Sequence, residues 1–495
     1  IVNTSSDSFT VRLADGCETG YYKVFVKRDA RKKSFGRIYI NIVEDIDFKP
    51  DAGTTVYGIV SSAGVGVENV VVSDGAEVTV TNEKGIYQLK SAKKWGYVFI
   101  SVPSGYEVPS VGVLPQFHRA LKNSADVVER ADFKLEKVDG QDSYKIFMLG
   151  DMHLANRTGD LGQFAQFTSD LTDYMTRHKG EKMYALTLGD MTWDLYWYSN
   201  SYYFPQYLNT INSQIKNLQI FHTMGNHDND FQTRSDYDAA VKYVDQICPT
   251  YYSFNIGKVH YVVMDDIDCS SYDGTESRNY VKSLSAEQLD WLAKDLSHVA
   301  KTTPVVVAMH AQVFYPTTSG FKIDHDQVNT LRLFDILDGY TVRFVTGHTH
   351  KLFNVTPDAP IVDGHNFREY NSGSVCASWW WSGNLTPGIH IGTDGTPGGY
   401  GIWDVTGTDF QCLYKSTGWP EEYQFRSYDL NNVHFSMADV PLMPSDISAS
   451  VKNAYMQYVN AYPQNNDNEV LINIWNWNSD WTLSVVDENR KTLPY

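Results

Sequence analysis

The sequence has no uninterrupted apolar run of about 18 residues, the length a membrane-spanning helix requires, so no transmembrane segment is expected. No secretory signal is visible at its start. Cysteine is scarce and scattered. Cys17, Cys248, Cys269, Cys376 and Cys412 are odd in number and include no CxxC pair, which excludes a disulfide framework and a zinc ribbon and makes buried free thiols the expectation. Positive charge is also short: Lys and Arg number 41 against 59 Asp and Glu, a net charge of -18. That balance repels polyanions and excludes nonspecific nucleic-acid binding through a basic surface. Any phosphate chemistry would need positive charge supplied locally. Internal repeats and low-complexity tracts are absent.

What is present is a long, aromatic-rich chain. At 495 residues it exceeds the size at which one core keeps growing, so three or four domains are expected. Aromatics make up 14%, with 33 Tyr and 12 Trp, more than cores need, so some rings should sit at a surface or cleft. Within 1–50, "YYKVFVKRD" and "FGRIYINIVED" read as a hairpin from a partial β-sandwich module. From 51 to 140, short alternating strands are separated by Gly, Asn and Asp turns, the pattern of a small all-β sandwich. This stretch resembles transthyretin-like or carboxypeptidase-regulatory modules. From 141 to 415, apolar strands alternate with helical segments, as an α/β layer fold requires. Leu161, Phe164, Leu171, Tyr174 and Met175 recur at helical spacing, and Ser285 with Gln288 reads as a capping box. Residues 416–495 return to β character as a C-terminal β-rich module.

The strands of the middle region end alike. "YKIFMLGD", "YALTLGD", "IFHTMGNHD", "PVVVAMH" and "RFVTGHTH" each finish in ligand-type residues, which gathers their loops at the carboxyl ends of a sheet, where α/β folds place their sites. In the last of these, His348 and His350 have the same parity and project to one side, with Gly347 expected to let the chain turn tightly. In order, the ends supply Asp151, His153, Asp190, Asn226, His227, Asp228, His310, His348 and His350. This set offers oxygen and nitrogen without thiolate. It exceeds one tetrahedral site and suits two adjacent divalent ions sharing a carboxylate, a device that recurs in phosphate-ester hydrolysis.

The motifs "GDMH", "GDMTWD", "GNHD", "MH" and "GHTH", in this order over about 145 to 352, resemble the calcineurin-like metallophosphoesterase superfamily. The resemblance implies a four-layer α/β/β/α core, here with flanking all-β sandwich-like modules, and two divalent ions, with Mn, Fe and Zn all open. One ion would be held by Asp151, His153 and His350, and the second by Asn226, His310 and His348, with Asp190 bridging both. His227 would protonate the leaving oxygen, oriented or tuned by Asp228, while a hydroxide bridging the metals attacks the phosphate ester, monoester or diester. Two departures narrow the likeness. Purple acid phosphatases carry a metal-binding tyrosine where this chain has Trp193, and protein serine/threonine phosphatases carry a substrate-binding arginine that "GDMTWD" lacks and GNHE in place of "GNHD".

The layout resembles exported bacterial members of the superfamily. With the β modules, and a chain that begins at Ile1 rather than Met, it makes an exported location (periplasmic, cell-surface or secreted) the expectation. A different class of function stays open: a surface-binding or scaffolding protein that carries an inactive phosphoesterase domain. Aromatic loops flank the motifs, "WDLYWYSNSYYF" at 193–204 and "SWWWSG" at 378–383. Trp193, Tyr196, Trp379 and Trp380 are therefore candidates to wall the site and contact the organic part of a phosphate-ester substrate, with inter-domain packing as the alternative. Oligomeric state is left open.

Overall fold

The computed structural model describes residues 48–493 except 158, 382–389, 434–447 and 451–465, and before them residues 3–4, 9–10, 17, 20–28 and 31–40. Much of the expected 1–50 module, and parts of "SWWWSG" and of the C-terminal module, lie outside the described residues. The two N-terminal runs form an antiparallel pair, Gly20–Arg28 with Arg31–Ile40.

Two mixed sheets carry the middle of the chain. The first runs in the spatial order Gln219–Phe221, Lys182–Thr187, Ser143–Leu149, Gly399–Thr406, Asp409–Ser416, its first three strands parallel and its last two antiparallel. The second runs Tyr252–Ile256, Val259–Val263, Val305–Ala308, Val342–Thr346, Phe367–Asn371, Phe353–Val355, parallel except at its edges. Both are buried almost throughout, which is why their strands read as near-continuous apolar runs. The sheets face each other. Tyr144 and Tyr261 join their hydroxyls across the gap at 2.7 Å, and Phe221 stacks on Phe254 at 3.7 Å.

Helices cover the outer faces. On the first sheet, α1 (Asp160–Arg177) buries Phe164, Phe167, Leu171 and Tyr174 against Phe147 and Tyr400. Next in sequence come α2 (Phe204–Gln214) and α3 (Asp236–Gln246), which pack on each other. On the second sheet, α4 (Ala286–Leu296) lies beside α5 (Gln327–Leu337), whose Phe334 meets Phe344 and Phe367. The order is helix, sheet, sheet, helix. Ser285 caps α4 as its sequence implies, accepting from Gln288 N, but the reciprocal half of the box does not form. The Gln288 amide instead pairs with Asp265 N and O, satisfying both polar groups of that half-buried backbone.

Residues 54–138 fold as two small sheets, one ordered His118–Ala120, Tyr97–Ile100, Val71–Ser73, Val78–Val80, the other centred on Val56–Ser62, with a separate two-stranded pair of Ser110–Val111 and Leu114–Pro115. They pack on the α/β layers through Phe117 on Tyr252 at 4.5 Å and Phe99 on Trp291 at 6.0 Å. At the far end, Phe425–Asp429 pairs with Val470–Ile474, and Trp475 behind them is buried. The five cysteines are free, with Cys17 and Cys412 half-buried rather than buried. Among the described residues no helix is long and apolar enough to cross a membrane.

Candidate metal centre

Every motif lies just past the carboxyl end of a parallel strand, so two sheets deliver five loops to one place. The backbone there is unusual. Asp151, His153, Asp190, His348 and His350 all adopt left-handed conformations, with φ between 43° and 67°. Non-glycine residues take that region at a cost of about 1–3 kcal/mol each, and such residues cluster where a site dictates side-chain direction. The turn expected of Gly347 is therefore made by the histidines themselves. Gly347 is required for another reason: a Cβ there would lie 2.6 Å from Asp151 Oδ2. Gly225 is constrained more severely, since its Cβ would sit 2.3 Å from Asp190 Oδ1.

The donors converge in two groups. His153 Nε2 lies 3.0 Å from His350 Nε2, with Asp151 Oδ1 at 3.8 Å from the former and 3.4 Å from the latter. On the other side, His310 Nε2 lies 3.0 Å from Asn226 Oδ1 and 3.1 Å from His348 Nδ1. Asp190 Oδ2 sits between the groups, 3.5 Å from His153 Nε2 and 3.3 Å from His310 Nε2. All seven expected ligands thus come together, and Asp190 occupies the shared position.

The donor set fits a pair of divalent cations. His310 gives its Nδ1 proton to Leu188 O at 2.7 Å, and His350 gives its own to Ser378 O at 2.9 Å. Each bond anchors Nδ1 and turns Nε2 inward, the usual arrangement of a ligating imidazole; against the effect of burial, Asp190 raises the His310 pKa to about 10 and the His350 pKa is also raised, so a cation would take the place of an Nε2 proton on each. Burial pushes the pKa of His153 down to about 4 and that of His348 to about 3, which keeps both neutral. Burial also opposes charge on Asp190, yet the His310 and His227 imidazoles hold it well below the usual carboxylate range. Cys376 lies near the first group, but its sulfur is 3.8 Å from His350 Nδ1, behind the ring, and burial raises the thiol pKa. It does not join the ligand set.

The proton-donor candidate is placed differently from expectation. His227 Nδ1 meets Asp194 Oδ1 at 2.7 Å and Arg278 Nη1 at 2.8 Å. Asp228 does not touch that ring. Its carboxylate accepts from the backbone N–H groups of Met191, Thr192 and Gly225, tying the second and third motif loops together. A side chain adjacent in sequence points away within the tight turn at Asn226–Asp228, and it is Asp194 that contacts the His227 ring. Asp194 was legible as the last residue of "GDMTWD"; Arg278 belongs to no motif and comes from a distant loop.

The aromatic candidates divide. Trp193 and Trp379 border the ligands: the Trp379 ring centroid lies 4.9 Å from that of His153 and 5.0 Å from that of His350. Tyr196 packs edge-on against Trp193 at 5.1 Å. Trp380 is not part of the wall. It is 5% exposed, donates from Nε1 to Met152 O at 2.6 Å and stacks on His390, so it is a packing residue. Its neighbour Trp381, which carried no distinguishing signal in the sequence, stacks on Trp379 instead. The spare histidines serve structure: His222 bonds Tyr207 and Ile220 O, His260 bonds Asp295 and Asn255, His325 bonds Asp266, and His365 bonds Asp338.

The family model described as calcineurin-like phosphoesterase matches residues 144–352. Models described as the N-terminal and C-terminal parts of calcineurin-like phosphoesterase match 54–138 and 369–494. No curated relative matches in sequence. Among solved structures, a dimetal phosphatase from Danio rerio is 13% identical, with 55% of this chain and 95% of that chain covered and a TM-score of 0.39. GAP50, the anchor in the inner membrane complex of Plasmodium, is 12% identical over 56% of this chain and 85% of that chain, TM-score 0.35. A 5'-nucleotidase from Candida albicans is 13% identical over 55% of this chain and 50% of that chain, TM-score 0.30.

Proposed function

Because the chain belongs to the calcineurin-like metallophosphoesterases, with the N-terminal and C-terminal regions of that family on either side, we propose that it hydrolyses a phosphate ester at a pair of divalent cations. The observation that carries this reading is Asp190 Oδ2, placed within 3.5 Å of His153 Nε2 and 3.3 Å of His310 Nε2, one carboxylate oxygen common to two imidazole groups. Asp151, His153 and His350 would hold one cation, Asn226, His310 and His348 the other, with Asp190 shared. When bound, two such cations supply the positive charge this acidic chain lacks and make water acidic enough to attack near neutral pH.

The chain's own residues do the rest. Hydrolysis forms a bond from water oxygen to phosphorus and breaks the bond from phosphorus to the leaving oxygen, which must then take a proton. His227 is positioned to give it from Nε2, since Asp194 and Arg278 engage the Nδ1 side. A well-placed acid of this kind contributes about 10² to 10⁴-fold. Asp228 holds the motif loops so that Asp190 and His227 keep their relation, which is reinforced where His227 N donates to Asp190 Oδ1 at 2.7 Å. An exported location belongs to the same reading, on the strength of the flanking β regions, and cell fractionation checks it.

Metal analysis of purified protein, together with an assay of phosphomonoesters and phosphodiesters under Mn, Fe and Zn supplementation, tests the proposal. About two ions per chain with metal-dependent release of phosphate or alcohol is the expected result. No bound metal after supplementation, with no ester hydrolysed, refutes it and favours a binding or scaffolding role.

A further inference from the structure

The wall beside the metal ligands combines ring faces with hydrogen-bond donors. Trp193 and Trp379 stack at 4.7 Å with 17° between their planes, and Trp379 and Trp381 at 4.9 Å with 10°. Trp193 also lies 5.7 Å from the His227 ring, so the wall begins where the proton donor ends. The Arg157 guanidinium sits 5.2 Å from the Trp193 ring, 4.3 Å from Tyr196 and 5.8 Å from Trp381. Among the described residues that guanidinium makes one hydrogen bond, from Nη1 to Tyr196 Oη at 2.5 Å. Tyr196 Oη accepts there and keeps its own proton to donate. Trp193 Nε1 is buried and has no hydrogen-bond partner among the described residues. The Arg157 guanidinium, the Tyr196 hydroxyl proton and Trp193 Nε1 are thus donors, and the first carries a full positive charge.

That composition discriminates between ligands. Stacked tryptophans alone would suit a quaternary ammonium group. Here Arg157 already occupies the cation position over Trp193, and a second cation would be repelled. A polyol would find more donors than acceptors for its own hydroxyl protons, Tyr196 Oη already accepting from Arg157. An organic group with a flat ring and a negative charge satisfies faces and donors together, because guanidinium binds anions with charge-assisted bonds. We propose that Trp193, Trp379, Trp381, Tyr196 and Arg157 form the leaving-group subsite, and that the leaving group carries an aromatic or heteroaromatic ring with an anionic substituent. The proposal rests on the phosphoesterase reading for the word "leaving", but the subsite itself is a property of the wall.

Four monoesters separate ring from charge: phenyl phosphate, 4-carboxyphenyl phosphate, 3-phosphoglycerate and phosphocholine, assayed on metal-supplemented full-length protein. In parallel, 4-hydroxybenzoate is titrated into protein without added metal and followed by tryptophan fluorescence. The expected kcat/KM for 4-carboxyphenyl phosphate is about tenfold or more above each of the other three. The expected fluorescence change is saturable. Arg157→Gln should lower the ratio of carboxyphenyl to phenyl ester by about tenfold and weaken 4-hydroxybenzoate binding to a similar degree, with melting temperature confirming the fold. Trp379→Leu should lower both aryl esters relative to 3-phosphoglycerate. Phenyl and carboxyphenyl esters within about threefold of each other, a preference for phosphocholine, or an unchanged ratio in Arg157→Gln would each overturn the proposal. Saturable 4-hydroxybenzoate binding lost in Arg157→Gln, without hydrolysis of any ester, would support the subsite and remove the phosphoesterase reading.

Discussion

Trp380 lies one residue from the wall, yet its replacement should act on the ligands from behind rather than on substrate. Its ring is 5% exposed, and its indole N–H holds the Met152 carbonyl at 2.6 Å. Met152 separates Asp151 from His153, both already left-handed at φ 51° and 43°. Trp380→Ala opens a cavity at a cost of about 3–5 kcal/mol. For a domain of this size that corresponds to a melting shift of roughly 6–20 °C. Trp380→Phe keeps most of the ring and loses the donor, leaving a buried carbonyl unpaired at a cost of about 1–3 kcal/mol. If half or more of that cost is relieved by movement of Met152, the two flanking ligands shift with it, and metal affinity falls by about tenfold for each 1.4 kcal/mol. The assay is calorimetric melting of metal-free wild type, Trp380→Ala and Trp380→Phe, with a metal titration of each. Melting of the metal-free alanine variant within about 2 °C of wild type would refute the packing role. Weakened melting with unchanged metal affinity in the phenylalanine variant would refute the coupling to Asp151 and His153.

Asp190→Asn should cost at least one metal ion and nearly all activity, because the charge that holds two cations together is gone; two ions by elemental analysis with normal turnover would contradict the shared role. His227→Gln should keep metal content near wild type and slow esters of poorly acidic alcohols far more than nitrophenyl esters, and Asp194→Asn should show the same leaving-group dependence in weaker form. Equal losses across leaving groups would argue against the dyad. Asp228→Asn should instead lower stability, read as melting temperature, since its three backbone N–H partners would meet a weaker acceptor. Gly225→Ala should abolish tight metal binding, because the added methyl group would lie 2.3 Å from Asp190 Oδ1 and displace it; calorimetric affinity within about threefold of wild type would show that the loop can yield.

The seven candidate ligand positions were legible because each closes a short motif after an apolar strand, and strand ends of an open sheet converge whatever the details of packing. The helices were legible for a related reason: Phe164, Leu171 and Tyr174 recur on the face that α1 buries. Half of the capping box at Ser285 failed because the Gln288 amide pairs with the Asp265 backbone instead, a tertiary contact that local spacing does not register.

Sequence by itself determined which residues are gathered as candidate ligands, since carboxylates, imidazoles and an amide each end a strand whose loop reaches the same place. Tertiary structure alone decided their partners. Asp228 precedes no gap and adjoins His227, yet the tight turn directs it to the backbone, while Asp194 and Arg278 arrive from two other loops to meet the imidazole. Likewise Trp379, Trp380 and Trp381 are identical letters in a row, and only the fold sends the middle one into the core and the outer two onto the wall. Adjacency along the chain fixes distance but not direction, and direction is set by packing between segments that the sequence keeps far apart.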